Sequence, residues 1–309
     1  MMIILDLLLA ITVILVAIRC LYTPNLAESV VLFIVFGLLI ALIWVRLQAP
    51  DAALAEVAIG AGLAGALLLA TLSQLQHTQD DQPKPIVLWS LSIPLLLGGA
   101  LALSLMSLVQ PAPGLSDMVV TNLSASGVEH RVTAVLLNYR AWDTALELAV
   151  LMWAWAAQRA LGPSLSWHGV RLQGQVLVYF TRLLVPLLAL VGGYVLWQGA
   201  YAPGGAFQAG ALLAAALILA FLVQQTELGQ SPPAFITGFI HNGWIKVLWL
   251  GGLLAFFGVG LVGLLAGFGF MGYPPAYAGQ LILIIEIAAT LSIALILAAL
   301  FTGEGRRYE

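Results

Sequence analysis

Residues 277–302 read YAGQLILIIEIAATLSIALILAALFT. A helix crosses the hydrocarbon of a bilayer in about 20 residues, at about 1.5 Å of rise per residue, and this stretch is longer and apolar on every side. Glu286, near its middle, is the only charged residue within it. Working outward, comparable apolar runs fall near 2–20, 28–46, 52–73, 86–109, 143–161, 176–198, 206–224 and 244–269. Long runs rich in Leu and Ala do not alternate as barrel strands do, and lipid offers no partner to a backbone amide outside a helix or a closed barrel. The sequence therefore predicts an all-α, polytopic transmembrane helical bundle of about nine membrane helices.

Composition agrees. Of 309 residues, 62% are hydrophobic and 8% charged, against about a quarter charged in a soluble domain. A net charge of −3 without any basic cluster excludes nucleic acid as a partner. The single cysteine, Cys20, excludes an internal disulfide and a Cys-based metal cluster. The first twenty residues lack a positive n-region and contain Asp6, so they are expected to be a membrane helix and not a cleaved signal. Arg19 before Cys20 spoils a lipoprotein box.

Three polar breaks divide the chain. Gln76–Pro85 and Gly162–Gln175 read as linkers, and the segment from Gln110 to Trp142 reads as an ordered extramembrane piece. Residues 225–242 read as a loop with an interfacial half-helix in FITGFIH. Cytoplasmic loops attract Lys and Arg. With the N-terminus outside, one face collects Arg19, Lys84, Arg159, Arg171, Lys246, Arg306 and Arg307, and the other Arg46, Arg131 and Arg140. The expected orientation is N-terminus outside and C-terminus cytoplasmic.

A charge inside a bilayer costs several kcal/mol unless it is paired, neutralised or wetted, so each intramembrane acid is a functional candidate. Glu286 heads the group, as an ion-handling acid or as a helix-pairing one. Asp51 follows Pro50 at a helix start, where the free amides suit a carboxylate, and Glu56 lies one turn deeper. Asp143 and Glu147 share one helix face at i, i+4, with Arg140 in reach of either. Asp6 and Glu28, at helix ends, read as structural. Lys246 and His241 at a span end are candidate proton-relay members, because burial draws a lysine's pKa toward neutrality. His77, His130 and His168 lie in loops without metal-ligand spacing, so neither metal nor cofactor is expected. Pro203-Gly204-Gly205-Ala206-Phe207-Gln208 has no Lys-Ser/Thr and reads as a tight turn, not a nucleotide loop. No hydrolase constellation is present, and no autonomous catalysis is expected.

Taken together these motifs resemble components of Mrp-type cation/proton antiporters and of the related membrane-bound hydrogenase complexes. Phe36-Gly37-Leu38, Ala49-Pro50-Asp51-Ala52-Ala53-Leu54-Ala55-Glu56 and Ala58-Ile59-Gly60-Ala61-Gly62 resemble the D-type module of those hydrogenases, placed at 1–76. Val132-Thr133-Ala134-Val135-Leu136-Leu137-Asn138-Tyr139-Arg140-Ala141-Trp142-Asp143-Thr144 resembles their E-type module, placed at 86–161 and also found in the C-terminal region of the large A-type antiporter protein. Residues 176–303, with the Pro-Gly-Gly turn, resemble the B-type antiporter module. The resemblance implies a bacterial or archaeal plasma-membrane component of a complex related to the membrane arm of respiratory complex I. Its partners would be other antiporter- or hydrogenase-like membrane subunits, the lipid bilayer, and Na+ or H+. Glu56 and Glu147 match acidic positions of the D-type and E-type modules, and Glu286 stands where the B-type module commonly has Asp. The chain departs from the B-type pattern in reading Gly199-Ala200 where Gly-His is usual, and Ala206 where a third glycine is common. The buried lysine array of the large pumping subunits is absent. Two roles follow: an ion-path component, or a structural adaptor between pumping subunits and a redox or inorganic-carbon module.

Overall fold

A computed structural model describes residues 2–75, 88–107, 114–161, 175–227 and 243–302, and no β-strand occurs among them. The elements are α1 (Met2–Tyr22), α2 (Leu26–Arg46), α3 (Pro50–Ala55), π1 (Glu56–Leu63), α4 (Ala64–Leu75) and α5 (Leu88–Met106). They continue with α6 (Ser116–Asn122), α7 (Arg131–Ala134), π2 (Val135–Tyr139), α8 (Ala141–Ala160), α9 (Gln175–Gln198), α10 (Ala206–Glu227), α11 (Gly243–Leu265) and α12 (Ala278–Thr302). Since α3, π1 and α4 are one continuous rod, a long helical rod occupies each of the apolar runs among the described residues. Seven are long and apolar enough to cross a membrane. Of the other two, α8 carries Asp143, Glu147 and Arg159, and the apolar part of α5 is the shorter stretch Leu95–Met106.

Each chain reversal has a local cause. Asn25 caps α2 by accepting from the Ala27 and Glu28 amides at 2.9 and 3.3 Å, satisfying two of the donors that a helix start leaves open. Between α2 and α3 the chain turns within three residues, with Gln48 left-handed at φ 59°. Pro50 then opens α3, where its missing N–H costs nothing. Ion pairs hold both ends of the α1–α2 hairpin: Arg19 lies 2.8 Å from Glu28, and Arg46 grips both oxygens of Asp6 at 2.6 and 2.9 Å. Asp6 and Glu28 thereby fasten one helix to the next.

The core sits around α12. Ile282, Ile285, Ile293, Ile296 and Leu297 are buried, α10 and α11 flank the helix, α8 also packs on it, and α9 packs mainly on α10. In lipid there is no hydrophobic drive between helices, so close approach through small residues has to supply the contact. Gly210 of α10 meets α12 in this way: a Cβ built there falls 2.7 Å from Ile293 Cγ2 and 3.2 Å from the Thr290 carbonyl oxygen. Gly210→Ala is therefore expected to wedge α10 from α12 and cost about 1–3 kcal/mol. Thermal denaturation of the detergent-solubilised protein measures it, and an unchanged midpoint would show that this contact is loose.

On the other side of α12, Trp155 of α8 stands edge-on to Trp249 of α11, ring centroids 4.4 Å apart. The Gln158 side chain donates to the Leu300 carbonyl at 2.7 Å. Rod α3–π1–α4 packs on α2 and, through π1, on α10. By contrast α5 exposes Leu95, Leu96, Leu97, Leu101 and Met106.

The segment expected to be ordered outside the membrane is described from Gly114. It folds as α6, a 3-10 turn at Leu123–Ala125, α7 and π2. At its elbow Gly127 takes φ +84° and lies against Ala278 and Gly279 at the start of α12. The linker expected at 76–85 lies outside the described residues, as do 162–174, the FITGFIH half-helix and His241. Lys246 falls in the first turn of α11.

Candidate functional site

Three parts of the chain meet at the turn joining α9 to α10. The Gly205 N–H donates back to the Val195 carbonyl at 3.0 Å, and the Tyr201 and Ala202 amides donate to the Gln198 carbonyl at 2.8 and 2.9 Å. Gly199 faces the backbone of Gly204 and Gly205 so closely that a Cβ would lie 2.7 Å from Gly205 Cα. The stretch Pro203-Gly204-Gly205-Ala206-Phe207-Gln208 thus carries the chain out of one helix and into the next with almost no space to spare. Gly205 itself has φ +116°, a conformation open to glycine and costly to other residues.

The turn is clamped from two sides. From one, the Glu129 and His130 amides both donate to the Ala200 carbonyl, at 2.9 and 3.0 Å, and the Thr133 hydroxyl donates to the Gly199 carbonyl. From the other, Asp51 Oδ1 accepts from the Gly204 N–H at 3.3 Å, and the Gln208 amide donates to the Asp51 carbonyl at 3.4 Å. Asp51 is thus more than the helix-start carboxylate its position suggests, because its second oxygen, Oδ2, lies 3.5 Å from His130 Nε2. Both side chains are mostly buried, at 18% and 15% exposure.

Beneath the turn lies a cavity of about 400 Å³. Asp51, Glu147 and Glu286 line it together with Thr133, Gly204, Gly205 and Gln208, and its apolar wall includes Ile59, Leu136, Leu137 and Phe207. Glu286 is 2% exposed. Its Oε1 lies 3.3 Å from where a Gly205 Cβ would stand, so the carboxyl points up at the turn. Among the described residues, no group donates a hydrogen bond to that carboxyl. Both π-helical stretches border the space, through Ile59 of π1 and through Leu136 and Leu137 of π2. Such widened turns recur at functional positions in helices. A space of this size, mostly apolar but with three carboxyl groups on its wall, has room for several waters, each needing two to four polar partners. The arrangement can hold a hydrated cation or pass a proton between carboxylates.

The other candidates lie apart. Glu56 begins π1, half-buried, and its carboxyl rests beside Gly60, away from the cavity lining. Asp143 pairs with Arg140 at 2.6 Å and is 39% exposed, which gives Arg140 its partner, and Glu147, one turn further along α8, borders the cavity while itself exposed. Composition and spacing assign no role to His130 or Thr133. Their separation of three residues just ahead of an apolar helix is the local signal for a shared face.

Two family models match the chain. One, MbhD, the D-type subunit of MBH, covers residues 11–77, and the other, a domain related to the MnhB subunit of Na+/H+ antiporter, covers 176–302. Residues 11–77 are thus similar to MbhD, and residues 176–302 to the MnhB-related domain. No curated protein matches it. Among solved structures, a chain of the Mrp complex from Dietzia sp. DQ12-45-1b superposes with TM-score 0.75 at 21% identity, over 98% of this chain and 35% of that one. A chain of the membrane-bound sulfane sulfur reductase, an archaeal respiratory membrane complex, gives TM-score 0.51 at 24% identity, over 68% of this chain and 95% of that one. At these identities the likeness is one of fold, and this chain spans about a third of the Dietzia chain's length. The cavity is therefore lined from both matched stretches: Asp51 falls in the one similar to MbhD, and Gly204, Gln208 and Glu286 fall in the one similar to the MnhB-related domain. His130, Thr133 and Glu147 come from the stretch between them, which neither family model covers.

Proposed function

We propose that the chain is a membrane component of a multisubunit Mrp-type cation/proton antiporter, or of a related complex I-like assembly, in a bacterial or archaeal plasma membrane. In this reading the chain contributes the Asp51–Glu147–Glu286 cavity to a sodium or proton path. It has nine spans with the N-terminus outside, and residues 86–161 are an E-type module between the other two. The observation that carries the proposal is the convergence on one cavity of three acids separated by up to 235 positions in sequence. Intramembrane acids that serve only as helix glue have no need to share a space.

A partner-docking role stands beside this, favoured by the exposed apolar surface of α5. One variant separates the two. Glu147→Gln keeps the side-chain volume and removes the charge, so it is expected to reduce cation-dependent proton flux in vesicles at least ~10-fold, with the complex still assembled. Loss of assembly with normal flux per assembled complex would replace the ion-path reading with the docking one.

A further inference from the structure

We propose that His130 is the proton-relay residue at the mouth of the cavity, exchanging a proton with Asp51 through its Nε2 atom. This rests on the ion-path reading and names the group that loads the path.

The hydrogen bonds of Thr133 assign the two ring nitrogens different roles. Thr133 has one hydroxyl proton, and it goes to the Gly199 carbonyl. Toward His130 the Thr133 oxygen can then only accept, so at the 3.2 Å contact Nδ1 must carry a hydrogen. That holds whether the ring is neutral or charged. The nitrogen left to take or give a proton is Nε2, the atom facing Asp51 Oδ2 at 3.5 Å. The transfer is balanced within the pair: an imidazolium and a carboxylate become a neutral imidazole and a carboxylic acid, with the proton passing from Nε2 to Oδ2. Asp51 Oδ1 meanwhile keeps its bond from the Gly204 amide, so the acceptor stays in place as its charge changes.

The surroundings give the transfer a direction. Glu129 and Arg131 flank His130 in sequence and are exposed, so the imidazole stands between solvent-facing groups and a buried acid. Behind Asp51 the cavity opens to Glu147 and Glu286. Beside the pair itself, the charged groups nearest it are thus four: Glu129 just before α7, Arg131 at its start, Glu147 of α8 and Glu286 of α12. The backbone amides of residues 129 and 130 anchor the segment on Ala200 irrespective of the side chain, so the imidazole can be altered without undoing the clamp.

The test uses the assembled complex in vesicles. His130→Gln and His130→Asn are expected to assemble, to lower cation-coupled proton flux about tenfold, and to alter the pH profile of that flux. Imidazole added to the medium is expected to restore flux to His130→Ala, an effect that a purely structural histidine would not give. Wild-type flux and pH profile in the Gln or Asn variant, or no rescue of an assembled His130→Ala, overturns the proposal. Failure of all three variants to assemble also overturns it, making the residue a structural clamp. If Glu147→Gln loses flux while His130→Gln keeps it, the relay alone is wrong. If the cavity acids prove dispensable, the ion-path reading fails with it.

Discussion

Glu286→Gln is expected to abolish cation-coupled proton movement, by about a hundredfold or more, while the complex assembles normally. Glutamine matches glutamate in length and volume, so the packing around α12 against Ile282, Ile285 and Ala289 is retained. What is lost is the ability to bind and release a proton or to face a cation with a full charge. The carboxyl receives no hydrogen bond among the described residues, so no bonded partner is orphaned by the change. Stability should hold or rise, because a neutral amide is cheaper to bury than an unpaired carboxylate. Proton uptake in vesicles and the thermal midpoint of the purified complex are the paired measurements. Undiminished flux would remove Glu286 from the path, and a large fall in midpoint would make it helix glue.

The second large effect is structural. Gly127→Ala is expected to cost about 2–5 kcal/mol, because a non-glycine residue in a left-handed conformation is penalised and the added methyl has nowhere to go. At φ +84°, a Cβ on residue 127 would lie 2.7 Å from the Ala278 carbonyl carbon and closer still to the Gly279 amide nitrogen, both of them backbone atoms that cannot swing aside. The elbow would lift from the start of α12 and carry His130 and Thr133 away from the turn they clamp. The comparison is Gly98→Ala on α5, where a Cβ meets nothing within 4 Å and the midpoint should stay or rise slightly. Equal midpoints for the two variants would refute the account of the elbow.

How much of this is legible in the sequence depends on the range of the interaction. Each membrane helix can be read because its signal is carried within about twenty consecutive residues, as in 277–302. Glu286 and Glu147 stand out for the same reason, each a charge inside an apolar run. The pairing of Arg140 with Asp143 is one of two options that local spacing allows. Asp51 is ambiguous in sequence, since helix-start chemistry alone explains a carboxylate after Pro50, and its other contacts lie 79 and 153 residues away, at His130 and Gly204. His130 looks like any loop histidine because nothing nearby in sequence marks it, and its placement depends on a turn 66 residues from Thr133. The π-helical stretches are invisible too. Gly60 and Gly62 permit one at 56–63, but the widened register is selected by packing against α2 and α10.

The junction around Gly204 brings together one acceptor from the stretch similar to MbhD, a clamp from the middle stretch and a donor from the stretch similar to the MnhB-related domain, all on one polypeptide. Were these parts separate chains, the cavity would form only where three concentrations allowed it, and an incomplete set would leave an acid-lined opening in the membrane. Covalent linkage makes each encounter intramolecular, with an effective concentration that short tethers hold near the millimolar range irrespective of expression level. Equal stoichiometry is then automatic. On the proposed ion-path reading, gene architecture suppresses a leak through a half-built path as much as any contact within the folded protein does.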